Sequence, residues 1–316
     1  EFNRVTQAKR QPGSAFKPIM YSYGIQSRRL TPASVVEPPR EEGSHAGSKD
    51  GQADERPPLL LRRAIAKSDN QAASWVYHYL GAESIVAWAK GLGIESPLEP
   101  TPSLALGAYE VRPRELAEAY AVFAGGGEHE RPRLVTKIVA PDGSEVALPA
   151  SVRRRVMEPA EAYVVTSLLE SVIREGTGHK AAALKLPLAG KTGTSNDARD
   201  AWFAGYSPEL VCVTWTGFDD GRPLGARESG ASAALPAWMA FMKAAHSDDQ
   251  PGSAMPEGVA RRVIDLGSGL LAYEGQEDGR RLETFVLGTS PRDMAEPPED
   301  EESEELEDIY AELDGV

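Results

Sequence analysis

Residues 188–218 read LAGKTGTSNDARDAWFAGYSPELVCVTWTGF, and their punctuation decides the fold. Three short runs, Leu188 to Thr194, Ala201 to Tyr206 and Leu210 to Phe218, carry the aromatic, β-branched and small residues of a pleated, buried surface. The links between them are far too short for a parallel crossover, so the spacing predicts antiparallel hairpins. The only cysteine, Cys212, falls in the third run, where an inert buried thiol is expected. One cysteine cannot form an internal disulfide and leaves the redox compartment undecided.

Outward from this sheet the apolar spacing turns helical. Upstream, Pro159 to Ile173 repeats Val164, Val165, Leu168, Leu169 and Val172 on one face, and Pro113 to Ala124 ends at three consecutive glycines. Gln71 to Gly91 reads as one or two helices carrying Trp75, Leu80, Ile85 and Trp88, with Ser68-Asp69-Asn70 as a break after a helix over Leu59 to Lys67. A further helix is expected to begin at Ser14 and run to Ile25, with Pro18 tolerated in its first turn. Downstream, Ala233 to Ala245 is helical, and short strands follow near Arg262 to Leu266 and Thr284 to Leu287. Pro38 to Pro58 is polar and aperiodic and reads as a solvated loop. The expected fold class is α+β: an antiparallel sheet flanked by helices, with an all-helical portion between the first helix and the late strands.

Charge limits the function. The chain has 316 residues, 41% apolar, and a formal net charge of −14. Eleven acids and no Lys or Arg lie in Glu296 to Val316, which leaves −3 for the rest. A nearly neutral body lacks the basic footprint that phosphate backbones require, so no nucleic-acid partner is expected. The acidic tail cannot bury enough apolar surface to order itself, and the chain divides into a folded unit 1–292 and a disordered tail 293–316. No stretch approaches the ~18 consecutive apolar residues of a membrane span, and the chain opens at Glu1 without a leader, so any anchor is expected upstream.

Three short signatures could carry chemistry: Ser14-Ala15-Phe16-Lys17, Ser68-Asp69-Asn70 and Lys191-Thr192-Gly193-Thr194. On a helix the spacing of Ser14 and Lys17 puts both on one face. A lysine activates a serine only when its ammonium form is disfavoured, by burial or by a like charge such as Lys191. Unpaired N–H groups at the helix start favour an oxyanion near Ser14. Gly193 on a strand would admit a peptide backbone close to the edge. Each triplet alone is weak, since S-x-x-K is common and Ser-Asp-Asn reads equally as a turn or cap. A phosphate loop through Gly190-Lys191-Thr192 fails because Lys185 stands where the first glycine belongs. His45, His78, His129, His179 and His246 are scattered without metal-ligand spacing, so no metal or cofactor is expected.

The three signatures in this order are the set shared by class A β-lactamases and penicillin-binding proteins. Longer stretches narrow the likeness. FNRVTQAKRQPGSAFKP (Phe2 to Pro18), LALGAYEV (Leu104 to Val111), Gly176-Thr177-Gly178, AGKTGTSNDARDAWFAGY (Ala189 to Tyr206) and TGFDD (Thr216 to Asp220) resemble the transpeptidase domain of class A (bifunctional) penicillin-binding proteins, from about Phe2 to Pro291. That family's domain begins with strands upstream of FNR, and its glycosyltransferase domain and anchor lie further upstream. A chain without them is expected to lack those N-terminal strands and glycan-polymerising activity. The 38–58 stretch also departs from the family's pattern at the rim of the cleft.

The resemblance implies a serine D,D-transpeptidase that cross-links peptidoglycan stem peptides and is acylated by β-lactams. Ser14 would be the nucleophile and Lys17 its base. Ser68 would relay a proton, coupled to Lys17 and Lys191, and Asn70 would hold the substrate amide. Lys191 and Thr194 would bind the terminal carboxylate on the strand shared with Thr192 and Gly193, and the N–H groups of Ser14 and Thr194 would form the oxyanion hole. Such a domain would work on the extracytoplasmic, periplasmic side of the membrane, with the cell-wall synthesis machinery as partner and a membrane link only through the upstream anchor. A β-lactamase is disfavoured, because no E-x-x-x-N loop for a deacylating glutamate stands between Asn70 and Lys191. A D,D-carboxypeptidase or a non-catalytic β-lactam sensor would carry the same motifs.

Overall fold

The structure, a computed structural model, describes residues 2–37, 59–246 and 250–297. The loop expected over 38–58 and the acidic tail from residue 298 lie outside the described residues.

A 3₁₀ turn, Gly13–Phe16, runs directly into helix α1, Lys17–Gln26, so the expected first helix exists but Ser14 sits in its tighter opening turn. Strands β1 (Val35–Val36) and β2 (Leu59–Leu60) pair antiparallel and lead into α2, Leu61–Lys67. The helix expected from Leu59 therefore loses two residues to a strand whose partner is remote in sequence, which no local pattern reveals. Helices α3 (Asn70–Leu80) and α4 (Ala82–Gly91) are separated by Gly81, and the Asp69 carboxylate caps α3 by accepting the Ala72 N–H at 2.7 Å. With a 3₁₀ turn at Pro102–Leu106 they make up the all-helical part.

Helix α5, Pro113–Ala124, begins as expected, with proline in the first turn and Glu115 reaching back to the Arg112 N–H at 3.2 Å. Four short strands follow: β3 (Glu128–Glu130), β4 (Ile138–Val139), β5 (Glu145–Val146) and β6 (Arg153–Arg155). The β3–β6 pair sets Glu128 and Glu130 opposite Arg155 and Arg153. Its cross-strand partners are ionic, so hydrophobic alternation gives no sign of it. Helix α6, Pro159–Arg174, repeats the α5 opening, with Glu161 accepting from the Glu158 N–H at 2.9 Å.

The central sheet is β7 (Ala189–Thr194), β8 (Asp200–Tyr206) and β9 (Val211–Gly217), in that order and antiparallel throughout. The two-residue period of β8 divides its side chains. Trp202, Ala204 and Tyr206 join the main core with α1, α5 and α6, whereas Ala201 and Phe203 meet Leu235, Trp238 and Met242 of α7, Leu235–Ala245. Each large apolar side chain fully buried in this way contributes roughly 2 kcal/mol. Cys212 is half-buried on β9, not enclosed as expected, because β9 carries no further strand beyond β8 among the described residues. Burial still pushes its thiol up, which keeps it protonated.

The last hairpin, β10 (Val259–Asp265) with β11 (Arg280–Val286), packs on α6 and is longer than the sequence pattern predicts. It is locked to α2 by a buried bidentate pair between Arg62 and Glu283, and Arg62 also donates to the hydroxyls of Ser167 and Ser171, each at 2.7 Å. Glu283→Gln keeps the shape but leaves the guanidinium facing a neutral amide. It is expected to cost about 2 kcal/mol, read as a lower urea midpoint with an unchanged m-value. Leu271 accepts from the Ala295 N–H at 2.7 Å and donates to Asp293 O at 3.0 Å, so the packed body extends a few residues past Arg292. Among the described residues no helix is long and apolar enough to cross a membrane.

Candidate active site

Two glycines press the Ser14 turn onto the central sheet. Gly13 has φ +53°, and a Cβ there would lie 2.2 Å from the Thr194 carbonyl oxygen. A Cβ at Gly193 would lie 2.3 Å from the Pro12 oxygen. The turn therefore rests directly on β7 in a way no larger residue permits. Three hydrogen bonds pin it: Gly13 N–H to Gly107 O at 3.1 Å, Tyr120 Oη to Ala15 O at 2.9 Å, and Trp202 Nε1 to Gln11 O at 2.8 Å. Ser14 is half-buried on this turn, and its N–H, in the first helical turn, donates to no acceptor among the described loop hydrogen bonds.

Ser68 ends α2 with φ +61°, ψ 34°, a left-handed conformation unusual for serine. Such a residue costs on the order of 1 kcal/mol or more and persists only where its surroundings hold it. Here its N–H bonds back to Ile65 O at 3.1 Å, and Asp69 caps the next helix. The chain reverses sharply between α2 and α3 and presents Ser68 and Asn70 to α1.

Lys17 fills that concavity. Its side chain is fully buried, and Nζ donates to Ser68 O at 2.8 Å, Asp69 O at 3.1 Å and Asn70 Oδ1 at 2.7 Å. Because an ammonium only donates, Asn70 must turn its oxygen toward Lys17, leaving its NH₂ directed elsewhere. Lys191, equally buried on β7, donates to Ser68 Oγ at 2.9 Å and to Thr192 O at 3.1 Å. One hydrogen-bonded chain thus joins Lys17, Asn70, Ser68 and Lys191 from four separate elements. Burial pushes the Lys17 ammonium down to about 8, against an opposing pull from Asp69. Burial first, and then the charge of Lys17, hold Lys191 well below the ordinary lysine range. The sequence reading gives Lys191 a share in depressing Lys17; in the structure burial does this, and the like charge acts in the other direction.

Ser14 Oγ takes no part in this chain. All three Lys17 donors are spent on the Ser68–Asn70 side, the arrangement of a protonated amine. A neutral Lys17 would give up one donor and gain a lone pair, and Ser14 is its neighbour one turn earlier in the same helical run. Hydrogen bonds of this kind often tighten only when substrate is present.

The remaining sequence candidates lie on β7. Thr194 is half-buried, and its Oγ1 accepts from the Gly230 N–H at 3.0 Å. Thr192 is buried with its hydroxyl 2.6 Å from that of Thr177, and Gly193 lies in the seam against Pro12 and Ala15. Sequence reasoning assigned no role to Thr177. It follows α6, and its N–H also bonds to Ala66 O at 3.1 Å. One residue therefore staples α2, which carries Ser68, to β7, which carries Lys191. Short polar bonds of this kind leave no periodic trace; only the Gly176-Thr177-Gly178 triplet marks the place. Thr177→Val removes one hydrogen bond at nearly constant shape, with an expected loss of about 1 kcal/mol, or roughly 2–4 °C in Tm, measurable by calorimetry.

A half-buried hydroxyl at a helix start, two amines of lowered basicity, a second hydroxyl bonded to one of them and an N–H in the opening turn are parts suited to nucleophilic acyl transfer.

Comparison with known proteins gives a consistent picture. The family profile described as penicillin binding protein transpeptidase domain matches residues 2–214. Penicillin-binding protein 1A of Pseudomonas aeruginosa is 32% identical over 94% of this chain and 43% of its own length, and that of Aquifex aeolicus is 36% identical over 77% and 34%. The chain thus spans less than half the length of these relatives. Among solved structures, penicillin-binding protein 1A from Haemophilus influenzae superposes with a TM-score of 0.81 at 29% identity, over 93% of this chain and 50% of that one. Penicillin-binding protein A from Mycobacterium tuberculosis, solved as an imipenem acyl-enzyme complex, gives 0.60 at 25% identity over 78% and 62%.

Proposed function

Since this chain belongs to the penicillin-binding protein transpeptidase family and matches the transpeptidase region of class A members, we propose that it is a serine D,D-transpeptidase working through an acyl-enzyme on Ser14. The observation that carries this reading is the hydrogen-bonded chain linking Lys17, Asn70, Ser68 and Lys191 beside the Ser14 turn.

Neutral Lys17 takes the Ser14 proton as Oγ attacks the carbonyl carbon of the penultimate D-alanine in a stem peptide. The oxyanion forms against the N–H groups of Ser14 and Thr194, contacts whose loss in serine enzymes typically costs about 10²–10³ in rate. As the C–N bond breaks, Ser68 passes its proton to the departing D-alanine. Its oxygen already accepts from Lys191, so its own O–H is free to point at the leaving nitrogen. The Lys17 proton then restores Ser68. An amine from a second stem peptide attacks the ester, forms the new amide and returns the proton to Ser14. Asn70 Nδ2 would hold the substrate amide, and Lys191 with Thr194 the terminal carboxylate, alongside Thr192 and Gly193. β-Lactams would enter by the same first step. The proposed setting is the extracytoplasmic face of the membrane, with the cell-wall synthesis machinery as partner.

Chromatography of the products formed from stem peptides by the full-length protein tests the assignment. Cross-linked dimers support it, trimmed monomers would make the protein a carboxypeptidase, and a β-lactam adduct without either product would make it a sensor.

A further inference from the structure

Away from the Ser14 cleft, α2, the end of α6 and the β10–β11 hairpin enclose a cavity of ≈ 310 Å³. Such a volume is at the lower end of the usual range for ligand sites, about 300–1,000 Å³. Leu60, Ala66 and Leu266 give it apolar walls, and Arg63, Lys67 and Arg281 give it a cationic rim. The Arg62–Glu283 pair in the lining is self-neutralised. Among the described residues only Glu175 opposes the rim: its carboxylate takes Arg281 and its carbonyl takes Lys67 Nζ at 2.7 Å. Arg63 is exposed and has no acceptor among the described residues. An occupant must therefore be anionic, with apolar side chains to fill the walls.

The chain carries such a segment. Residues 299–314 hold ten acids and no Lys or Arg, and within them Leu306, Ile309, Tyr310 and Leu313 recur at i, i+3, i+4 and i+7, the spacing of one helical face. The anchorage is also close. Ala295 and Asp293 are hydrogen-bonded to Leu271, which bridges to Ile264, two residues from Leu266 in the cavity wall. Each extended residue adds ~3.3–3.6 Å of reach, so the segment that follows Ala295 starts within a few residues of that wall.

We propose that the acidic segment 299–314 docks in this cavity of its own chain, with its apolar stripe against Leu60 and Leu266 and its carboxylates on Arg63, Lys67 and Arg281. The docked segment lies against α2, whose last turn leads into Ser68.

Zero-length carbodiimide coupling of the full chain, followed by mass spectrometry, tests this. The expected product is an amide between Lys67 and a carboxylate of 299–314, lost at high salt as screening weakens the attraction. Hydrogen exchange gives an independent reading: amides of 304–314 should exchange roughly tenfold or more slowly in the native chain than in Leu306→Ser/Ile309→Ser. That variant alters only residues outside the described body. Equal exchange in both proteins, coupling to Lys9, Lys90 or Lys137 as often as to Lys67, or coupling only between differently isotope-labelled chains would each overturn the proposal.

Discussion

Ser14→Ala is expected to abolish covalent labelling by a fluorescent penicillin while leaving the protein folded. The two halves of this result have different causes. Ser14 Oγ makes none of the described hydrogen bonds and is half-buried, so deleting one oxygen orphans no partner and opens no sizeable cavity. The turn itself is held by backbone contacts at Gly13, Ala15 and Gln11, which alanine preserves. Stability should stay within about 0.5 kcal/mol of the parent, as for substitutions away from packed or bonded features. Covalent chemistry, by contrast, has no substitute for the missing nucleophile. Losing the nucleophile of a catalytic unit typically lowers turnover by about 10⁶, and an adduct cannot form without the bonding atom. In-gel fluorescence at saturating probe, paired with a melting curve, reads both halves. A labelled, folded Ser14→Ala protein would move the nucleophile elsewhere, with Ser68 the first residue to test.

Much of the architecture was legible because it is written in local periodicity. The runs that became α5, α6 and β7 to β9 announce themselves by apolar spacing and by Pro and Gly at their ends, and their observed bounds differ from the expected ones by a residue or two at most. What escaped depends on partners distant in sequence. Leu59 and Leu60 look helical until Val35 and Val36 pair with them, and the β3–β6 pair is held by Glu–Arg contacts that no hydrophobic pattern encodes. The site divides in the same way. Its residue types were readable as three signatures, but not how Lys17 spends its hydrogen bonds. Two of its three acceptors are backbone carbonyls, at a chain reversal where Ser68 adopts φ +61°. The Thr177 staple was invisible for the same reason, being one hydroxyl meeting another across a fold.

The role of Lys17 makes the second large prediction, in which pH separates a base from a structural cation. If neutral Lys17 accepts the Ser14 proton, the acylation rate rises about tenfold per pH unit below about 8, where burial holds its ammonium, and levels off above that value. Lys17→Ala should lose about 10²–10⁴ of that rate, the usual worth of a positioned base, and the rising limb with it. Stability gives an independent check with a definite sign. The folded form releases the Lys17 proton near 8 and the unfolded chain only near 10.5. Across that window the unfolded state binds more protons, so stability increases with pH; below about 8 both states are protonated and the penalty of the buried charge is fully present. Lys17→Ala removes this contribution and also the like charge that adds to the depression of Lys191. The mutant should therefore show a shallower rise in stability between pH 8 and 10.5, with Lys191 easier to protonate than in the parent. Stopped-flow acylation and urea titrations across that range supply both curves. An undiminished acylation rate in Lys17→Ala would remove lysine from the role of base, whereas a lost rate with an unaltered pH–stability slope would mean that Lys17 is charged in the folded protein throughout and acts only by holding Ser68 and Asn70 in place.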